Sequence, residues 1–251
     1  MSESQFLPPV VVLEQMLPEL QAKGYAVLGA QDVARWVHCS LAELNALCSD
    51  WDDMPPDLYL KDGGHYRRRR HSCFEYEGGV VTQVPHRAHW QSVDYNALHG
   101  GIERWFEPMQ NQLISNPAWQ SLLLGLGQLL NGIKPVNTWF IEAHQFRIDT
   151  TDGIGRPTPE GAHRDGVDFV AVFLLDRVGI KGGETRIFDA QGSAGLRFTL
   201  SQPWSLLLMN DEKMIHESTP IQPSGNYGYR DTLVLTYRSS GFQDSPNRGQ
   251  Q

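Results

Sequence analysis

The chain has 251 residues, 40% hydrophobic and 20% charged, a composition typical of a globular protein with enough chain for a sizeable core. Its formal net charge of −8 disfavours nucleic acid as a substrate, because binding a phosphate backbone requires a basic surface. The three cysteines form no CxxC pair and favour a reducing compartment over a disulfide framework. With no signal-peptide pattern and no apolar run of membrane-spanning length, we expect a cytoplasmic protein without membrane contact that acts on small molecules.

The N-terminal part of the chain carries mainly helical patterns. Residues 12–23 have apolar side chains at helical spacing and end at Gly24, a favourable helix C-terminus. Ser40 and Glu43 form a capping-box pattern at the start of a second helix, residues 40–48. Three further segments are predicted from the apolar spacing: strands at 24–28 and 66–76, and a mostly helical segment at 94–131 that is interrupted near residues 116–117.

The character of the sequence changes after Pro135, where short runs rich in β-branched and aromatic residues alternate with turn residues. These predicted strands are residues 138–148, 169–175, 185–188, 196–200, 205–209 and 232–237. The pattern predicts a mainly β protein with helices (α+β) and a jelly-roll core, in which N-terminal and central helices buttress one sheet. We expect one domain over residues 1–251, with a helix-rich part at 1–135 and the β core at 136–240.

The motif His163-Arg-Asp165 is the first candidate for chemistry. On a strand, residues two apart point to the same face, so an imidazole nitrogen and a carboxylate oxygen would lie side by side. His216, on another strand, would complete a two-histidine, one-carboxylate metal site that leaves three coordination positions open. A histidine beside an aspartate in a surface turn is the alternative, and the pair alone does not exclude it.

Arg230 follows His216 by 14 residues and opens an apolar strand. If residues 214–219 and 229–237 form neighbouring strands, Arg230 reaches the same cavity as His216. Its guanidinium would there offer a bidentate fork to a carboxylate. The alternative is a surface salt bridge with Asp231 or Glu217.

With these residues the sequence resembles the iron(II)/2-oxoglutarate dioxygenase superfamily, and more closely the bacterial group of L-isoleucine 4-hydroxylase and related free-amino-acid hydroxylases. The resemblance runs from about residue 24 to residue 238. Its local matches are residues 66–70 (YRRRR), 142–147 (EAHQFR), 159–166 (PEGAHRDG), 182–184 (GGE) and 229–231 (YRD).

The resemblance implies a double-stranded β-helix with iron at one mouth. His163, Asp165 and His216 would hold Fe(II), and Arg230 would anchor the cosubstrate 2-oxoglutarate, which reacts with O₂ to give succinate and CO₂. Ascorbate would serve as the reductant in vitro. The implied substrate is a free L-amino acid, aliphatic in its side chain. Hydroxylation of another small amine or peptide-derived metabolite, and a cupin-like metal-binding barrel, are the alternatives.

Further polar residues are candidates for binding the substrate. Of the arginines at 67–70, one alternating pair on a strand would enter the cavity, and the spacing alone does not say which; a solvated basic edge is the alternative. Tyr66, Arg68 and Arg70 are taken as candidates. Gln145 and Arg147 share one face of a predicted strand and are taken as pocket residues. Glu142 and His144 share the other face, and His144 is not expected to bind the metal, because the triad is complete without it. Most of the remaining histidines, a set that includes His71, His89 and His99, are expected at the surface or in loops.

Overall fold

The computed structural model describes residues 6–246. The described α-helices are α1 (Leu13–Lys23), α2 (Ala30–Trp36), α3 (Leu41–Ala46), α4 (Asn111–Ile114) and α5 (Pro117–Asn131), and a 3-10 helix (Leu47–Trp51) follows α3. The predicted first helix is confirmed. It ends at Gly24, whose φ of 79° is a left-handed conformation that glycine adopts without strain. The predicted capping box is also present, since Ser40 Oγ accepts from the backbone N–H of Glu43 while the Glu43 carboxylate accepts from that of Ser40.

The described strands make up one large sheet and two small ones. They are β1 (Val10–Val11), β2 (Tyr25–Leu28), β3 (Arg67–Glu77), β4 (Val80–Gln83), β5 (Thr138–Asp149), β6 (Phe169–Val178), β7 (Ile180–Gly182), β8 (Thr185–Asp189), β9 (Gly195–Phe198), β10 (Leu206–Asn210), β11 (Met214–Ser218), β12 (Ile221–Pro223) and β13 (Tyr229–Arg238). The large sheet has the order β1-β2-β10-β6-β13-β5-β3-β4 and is antiparallel except for the β1–β2 pair. The small sheets have the orders β11-β8-β9 and β12-β7.

The two faces of the large sheet have different partners. One face packs on α1 and α5 in the main hydrophobic core, which contains Leu20, Leu126 and Leu235. The other face packs on the three-stranded sheet in a second core, where Leu174 of β6 and Leu207 of β10 meet Ile187 and Phe198. This is the predicted mainly β architecture, with helices against one sheet, and it belongs to the double-stranded β-helix class of its structural neighbours.

Strict alternation along β5 and β13 separates the helix core from a cavity. On β13, Leu233 and Leu235 belong to the helix core, while Arg230 and Thr232 line the cavity. Successive side chains of a strand point to opposite faces, so the same strand stabilises the fold with one set of residues and equips the cavity with the other.

The prediction of helix across residues 94–110 was wrong. The described helices of that region begin at Asn111, and the preceding residues form turns and irregular backbone. Gly101 adopts a φ of 77°, and a β-bridge between His89 and Arg104 ties the ends of the loop together. Of the apolar residues at helical spacing in this segment, Phe106 and Met109 are buried but Trp105 is 48% exposed. The chain instead folds as a loop that lines the cavity with Asn96 and Arg104.

Within the described residues, no helix combines the length and the apolar character that crossing a bilayer would demand.

Replacement of Leu235 by alanine should lower the free energy of unfolding by about 2–5 kcal/mol, because it leaves a void in a fully buried position of the helix core. The matched control is Leu58→Ala at a side chain that is 84% exposed, which should change stability by less than about 0.5 kcal/mol. Urea unfolding of both variants checks this; equal losses would mean that β13 does not depend on its contact with the helices.

Candidate active site

A cavity open to solvent lies between the large sheet and strand β11. Its wall combines side chains of β5, β6 and β13 with His216 and Ser218 of β11. Residues from the loop before α4, among them Gln91 and Arg104, line it as well.

His163, Asp165 and His216 converge in this cavity and form a group able to hold a metal ion. The Nε2 atom of His163 lies 3.7 Å from Asp165 Oδ1, and the Nε2 atom of His216 lies 3.7 Å from Asp165 Oδ2. His163 lies in a loop, where the prediction had a strand. An isolated β-bridge holds it, with mutual backbone hydrogen bonds of 2.9 and 3.0 Å to His216.

Local hydrogen bonds orient the donor atoms toward a common point. His163 Nδ1 donates to the carbonyl oxygen of Gly161 at 2.9 Å, which leaves the Nε2 lone pair for a metal. Burial, together with His163, lowers the pKa of His216 to about 4, so its imidazole is neutral near pH 7. Burial also opposes the charged form of His163, but the carboxylates of Asp165 and Glu160 outweigh it and raise the pKa of that residue.

The loop that carries Asp165 is fixed by a second carboxylate, Asp211. Its two oxygens accept hydrogen bonds from the backbone N–H groups of Asp165, Gly166 and Val167 at 2.8–3.1 Å. Burial raises the pKa of Asp211 to about 7, the charge of Asp165 adds to this, and the backbone hydrogen bonds oppose it. Sequence reasoning did not identify Asp211, because it reaches the loop from 46 residues further along the chain.

Arg230 lines the same cavity and is 4% exposed. The two residues reach the cavity without being on neighbouring strands: β11 pairs with β8, whereas β13 pairs with β5 and β6, so they come from different sheets. The alternative salt bridges are also absent from the described structure, since Asp231 pairs with Arg147 and Glu217 pairs with Arg186. The Arg230 Nε atom is buried and has no hydrogen-bond partner within residues 6–246.

Comparison of the sequence with known protein families identifies the family of this chain. The model of the family described as 2OG-Fe dioxygenase matches residues 48–236, which include the three metal-ligand candidates and Arg230. The chain belongs to the 2OG-Fe dioxygenase family. It is therefore a dioxygenase that uses Fe(II), 2-oxoglutarate and O₂.

Solved structures agree with this assignment. The chain is similar to the crystal structure of a bsmA homolog from Methylobium petroleophilum PM1, with 50% identity over 95% of this chain and 98% of that one and a TM-score of 0.90. IDO from Bacillus thuringiensis shares the fold at 18% identity, 91% and 99% coverage and a TM-score of 0.74. So does the Fe(II)/(alpha)ketoglutarate-dependent dioxygenase TqaL, at 19% identity, 90% and 86% coverage and a TM-score of 0.69. No curated protein matches the chain.

The residues present in the dioxygenase fit its cofactor and cosubstrate. Two imidazoles and one carboxylate suit a divalent iron that must keep open positions. Arg230 is a buried cation with no carboxylate within 4 Å among the described residues, and such a group requires a counter-charge. A dicarboxylate such as 2-oxoglutarate supplies one.

The sequence left open which pair of β3 arginines enters the cavity, and the pair that does is not the one taken as candidates. Arg67 and Arg69 line the cavity, whereas Arg68 is exposed and Arg70 donates to the backbone carbonyls of Asp53 and Pro108 on the outside. Tyr66, on the same side as Arg68, is buried outside the cavity lining and donates its hydroxyl to Asp62 at 2.8 Å. The alternation of side chains was predicted, but which of them face the cavity depends on tertiary packing, which the spacing of residues in the sequence does not specify.

Gln145 and Arg147 also lie outside the cavity lining, contrary to prediction. Gln145 is fully buried on the helix side, with Nε2 donating to the carbonyl of Asp50. Arg147 makes a bidentate ion pair with Asp231 at 2.7 and 2.8 Å. The opposite face of β5, with Glu142 and His144, lines the cavity instead.

A second group of titratable side chains lies in the cavity wall, at His71, His89, Glu142 and His144, all of them buried. The expectation that most of the remaining histidines lie at the surface or in loops fails for His71, which is a fully buried residue of β3. His89 and His99 do lie in irregular segments, but they are only 7% and 1% exposed. The spacing of the group would admit a metal ion. Arg69 Nη2, however, donates to His144 Nδ1 at 2.9 Å, so a neutral His144 carries its proton on Nε2 and has no lone pair for a metal.

Gly166 follows Asp165 with a φ of 75°, and a Cβ there would lie 2.6 Å from ring atoms of Tyr95. Gly166→Ala should destabilise the dioxygenase by more than the about 1–2 kcal/mol of left-handed backbone strain, because the ring of Tyr95 must also move. The control is Gly153→Ala, with a φ of 81° and no atom within 4 Å, which should cost only the strain. Urea unfolding measures the free energy of unfolding of both variants. Adding Tyr95→Ala to Gly166→Ala should recover the stability lost beyond the backbone strain. Equal losses in the two variants would contradict the close contact.

Proposed function

We propose that the dioxygenase hydroxylates a free L-amino acid with an aliphatic side chain, of the size of isoleucine, leucine or methionine, and releases succinate and CO₂. The observation that carries this proposal is a cavity that unites the His163, Asp165 and His216 group, the buried Arg230, which has no carboxylate partner among the described residues, and a wall of mixed charge. The resemblance of its motifs to free-amino-acid hydroxylases supports the substrate class. Another small amine or peptide-derived metabolite is the second candidate.

In this proposal His163, Asp165 and His216 bind Fe(II), and Arg230 pairs with the distal carboxylate of 2-oxoglutarate. The iron supplies the activation of O₂ that couples oxidative decarboxylation of 2-oxoglutarate to insertion of one oxygen atom into a C–H bond. The protein holds the reactants in register and limits the access of water. Each turnover consumes one 2-oxoglutarate and one O₂ and yields one succinate, one CO₂ and one hydroxylated product.

Three features of the chain support these roles. The Gly161 carbonyl fixes the tautomer of His163, and Gln91 Nε2 donates to Asp165 Oδ1 at 3.1 Å, which restrains the carboxylate. Val172 and Val234 add apolar surface to the cavity wall. An aliphatic side chain would pack there without leaving polar groups unpaired.

His163→Ala and Asp165→Ala should each reduce succinate formation more than about 100-fold, because loss of a ligand exceeds the 10–100-fold effect of losing a group that only orients one. Thermal unfolding should remain cooperative in both variants. His65→Ala, at a side chain that is 81% exposed, is the matched control and should retain activity. Succinate and iron content are measured for each protein with 2-oxoglutarate, ascorbate, air and a pool of L-amino acids. Wild-type-like turnover in either ligand variant would refute the metal assignment.

Arg230→Gln should raise the concentration of 2-oxoglutarate needed for half-maximal succinate formation by at least about tenfold, because a buried charge-assisted hydrogen bond is lost. Arg197→Gln, which removes an exposed arginine, should leave that concentration unchanged. A titration of 2-oxoglutarate at saturating iron checks both variants. An unchanged requirement in Arg230→Gln would place the cosubstrate carboxylate elsewhere.

A further inference from the structure

The carboxylate of Glu142 lies in the cavity wall with only one of its two oxygens satisfied. Oε2 accepts hydrogen bonds from His71 Nε2, at 3.0 Å, and from His89 Nδ1. Oε1 has no hydrogen-bond partner among the described residues, and the side chain keeps 9% of its surface exposed in a residue that lines the cavity. Oε1 is not among the fully buried unpartnered atoms of the described residues, so a hydrogen-bond donor of a ligand in the cavity can reach it.

The two histidines hold this carboxylate ionised. Burial lowers the pKa of both His71 and His89, to about 3 for His89, so both imidazoles are neutral near pH 7 and donate N–H groups to Glu142. Burial opposes the charge of Glu142, but these two donors outweigh it and lower its pKa. Glu142 is therefore a fixed negative charge at the cavity wall.

Two arginines beside Glu142 are buried without a carboxylate partner. Arg69 lies between the rings of Phe106 and Phe146, at 4.0 and 4.6 Å from their centroids, and its Nε has no hydrogen-bond partner. Arg104 donates to Gln91 Oε1 at 3.0 Å, and its Nε is likewise unpartnered. Neither guanidinium has a carboxylate within 4 Å in the described part of the chain, whereas Arg67 next to them pairs with Asp57 at 2.7 Å.

One imidazole separates the free carboxylate from the nearer arginine. His144 Nδ1 accepts from Arg69 Nη2 at 2.9 Å, and His144 Nε2 lies 3.8 Å from Glu142 Oε2. An ammonium and a carboxylate on the same carbon atom are also only a few ångströms apart. The two receptors thus match the two charged groups of an α-amino acid.

The charges of the cavity balance for such a ligand. Arg69, Arg104 and Arg230 are matched in number by the lining carboxylates Glu142, Glu160 and Asp165, and Arg67 is neutralised by Asp57. Fe(II) in turn matches the two charges of 2-oxoglutarate. A substrate without net charge leaves the cavity neutral, while a simple amine or a dicarboxylate leaves an unpaired buried charge, which is costly.

We propose that Glu142 Oε1 binds the ammonium group of the substrate and that Arg69, assisted by Arg104, binds its carboxylate, so that the dioxygenase selects zwitterionic α-amino acids. This inference rests on the proposed function and assigns its specificity to residues outside the metal centre.

The test is a binding measurement without turnover. Wild-type protein loaded anaerobically with Fe(II) and 2-oxoglutarate is titrated by calorimetry with each standard aliphatic L-amino acid. The tightest-binding one is then compared with its des-amino and des-carboxy analogues; for L-leucine these are 4-methylpentanoate and 3-methylbutylamine. Both analogues should bind wild-type protein at least about tenfold more weakly, the loss expected for a charge-assisted hydrogen bond.

Variants separate the two receptors through thermodynamic cycles. Glu142→Gln should weaken binding of the amino acid at least about tenfold but change binding of the des-amino analogue less than threefold. Arg69→Gln and Arg104→Gln should weaken binding of the amino acid and leave binding of the des-carboxy analogue unchanged. Glu77→Gln, at an exposed end of the same sheet, is the matched control. Affinity for 2-oxoglutarate, read from its absorption band with Fe(II), should stay within twofold in all variants and reports an intact fold.

Equal losses of affinity for the amino acid and for its des-amino analogue in Glu142→Gln would overturn the inference. So would binding of no aliphatic amino acid to wild-type protein. Aerobic succinate formation is assayed separately: amino-acid binding with the predicted variant pattern but no turnover would refute the proposed function and leave the binding assignment intact. Normal turnover in Glu142→Gln with unchanged amino-acid affinity would refute the binding assignment alone.

Discussion

Alternation of side chains along the central strands of the large sheet is the constraint on which both the fold and the site depend. On β5, Ala143 packs in the helix core while Glu142 and His144 line the cavity. A shift of one residue in strand pairing would turn these charged groups into the helix core and the apolar ones into the cavity. The cost of burying unpaired charge makes that alternative unfavourable, so the polar residues of the cavity help to specify the register that positions them.

The cavity concentrates charge that the protein satisfies only in part. Arg67 has a carboxylate partner at 2.7 Å, yet Arg69, Arg104 and Arg230 have none within 4 Å among the described residues. Such groups lower stability relative to a fully paired site. Their retention is what a binding site for anionic and zwitterionic ligands requires, because the ligand supplies the missing partner. Buried charges without partners are expected at functional sites, where local stability is given up for binding.

The sequence predicted the elements with local signals well and the faces of strands less well. His163, Asp165 and His216 were found because their residue types fit one kind of metal site, and the structure brings them together. The first helix and its glycine terminus followed from the spacing of apolar residues. By contrast, the sequence left open which arginines of β3 face the cavity, since a run of four arginines has no apolar residue to mark the inner face, and the candidates Arg68 and Arg70 proved to lie outside it.

Contacts distant in sequence account for what was missed. Gln91 and Asp211 support Asp165 from 74 and 46 residues away, and neither lies in a pattern that predicts it. The buried His71 and His89 both contact Glu142 of β5. The pairing of β3 with β5 brings His71 to it, and the loop before α4 brings His89. Irregular segments such as residues 94–110 have no periodicity from which their course could be predicted.

The most direct test of the central claim is the fate of molecular oxygen. The iron-loaded protein is supplied with 2-oxoglutarate, an aliphatic L-amino acid that it binds and ¹⁸O₂, and the products are analysed by mass spectrometry. The account predicts succinate with one heavy oxygen atom and an amino acid with a heavy-oxygen hydroxyl group, formed together and dependent on each other. Absence of succinate from protein that has bound iron, or unlabelled succinate beside unmodified amino acid, would contradict it.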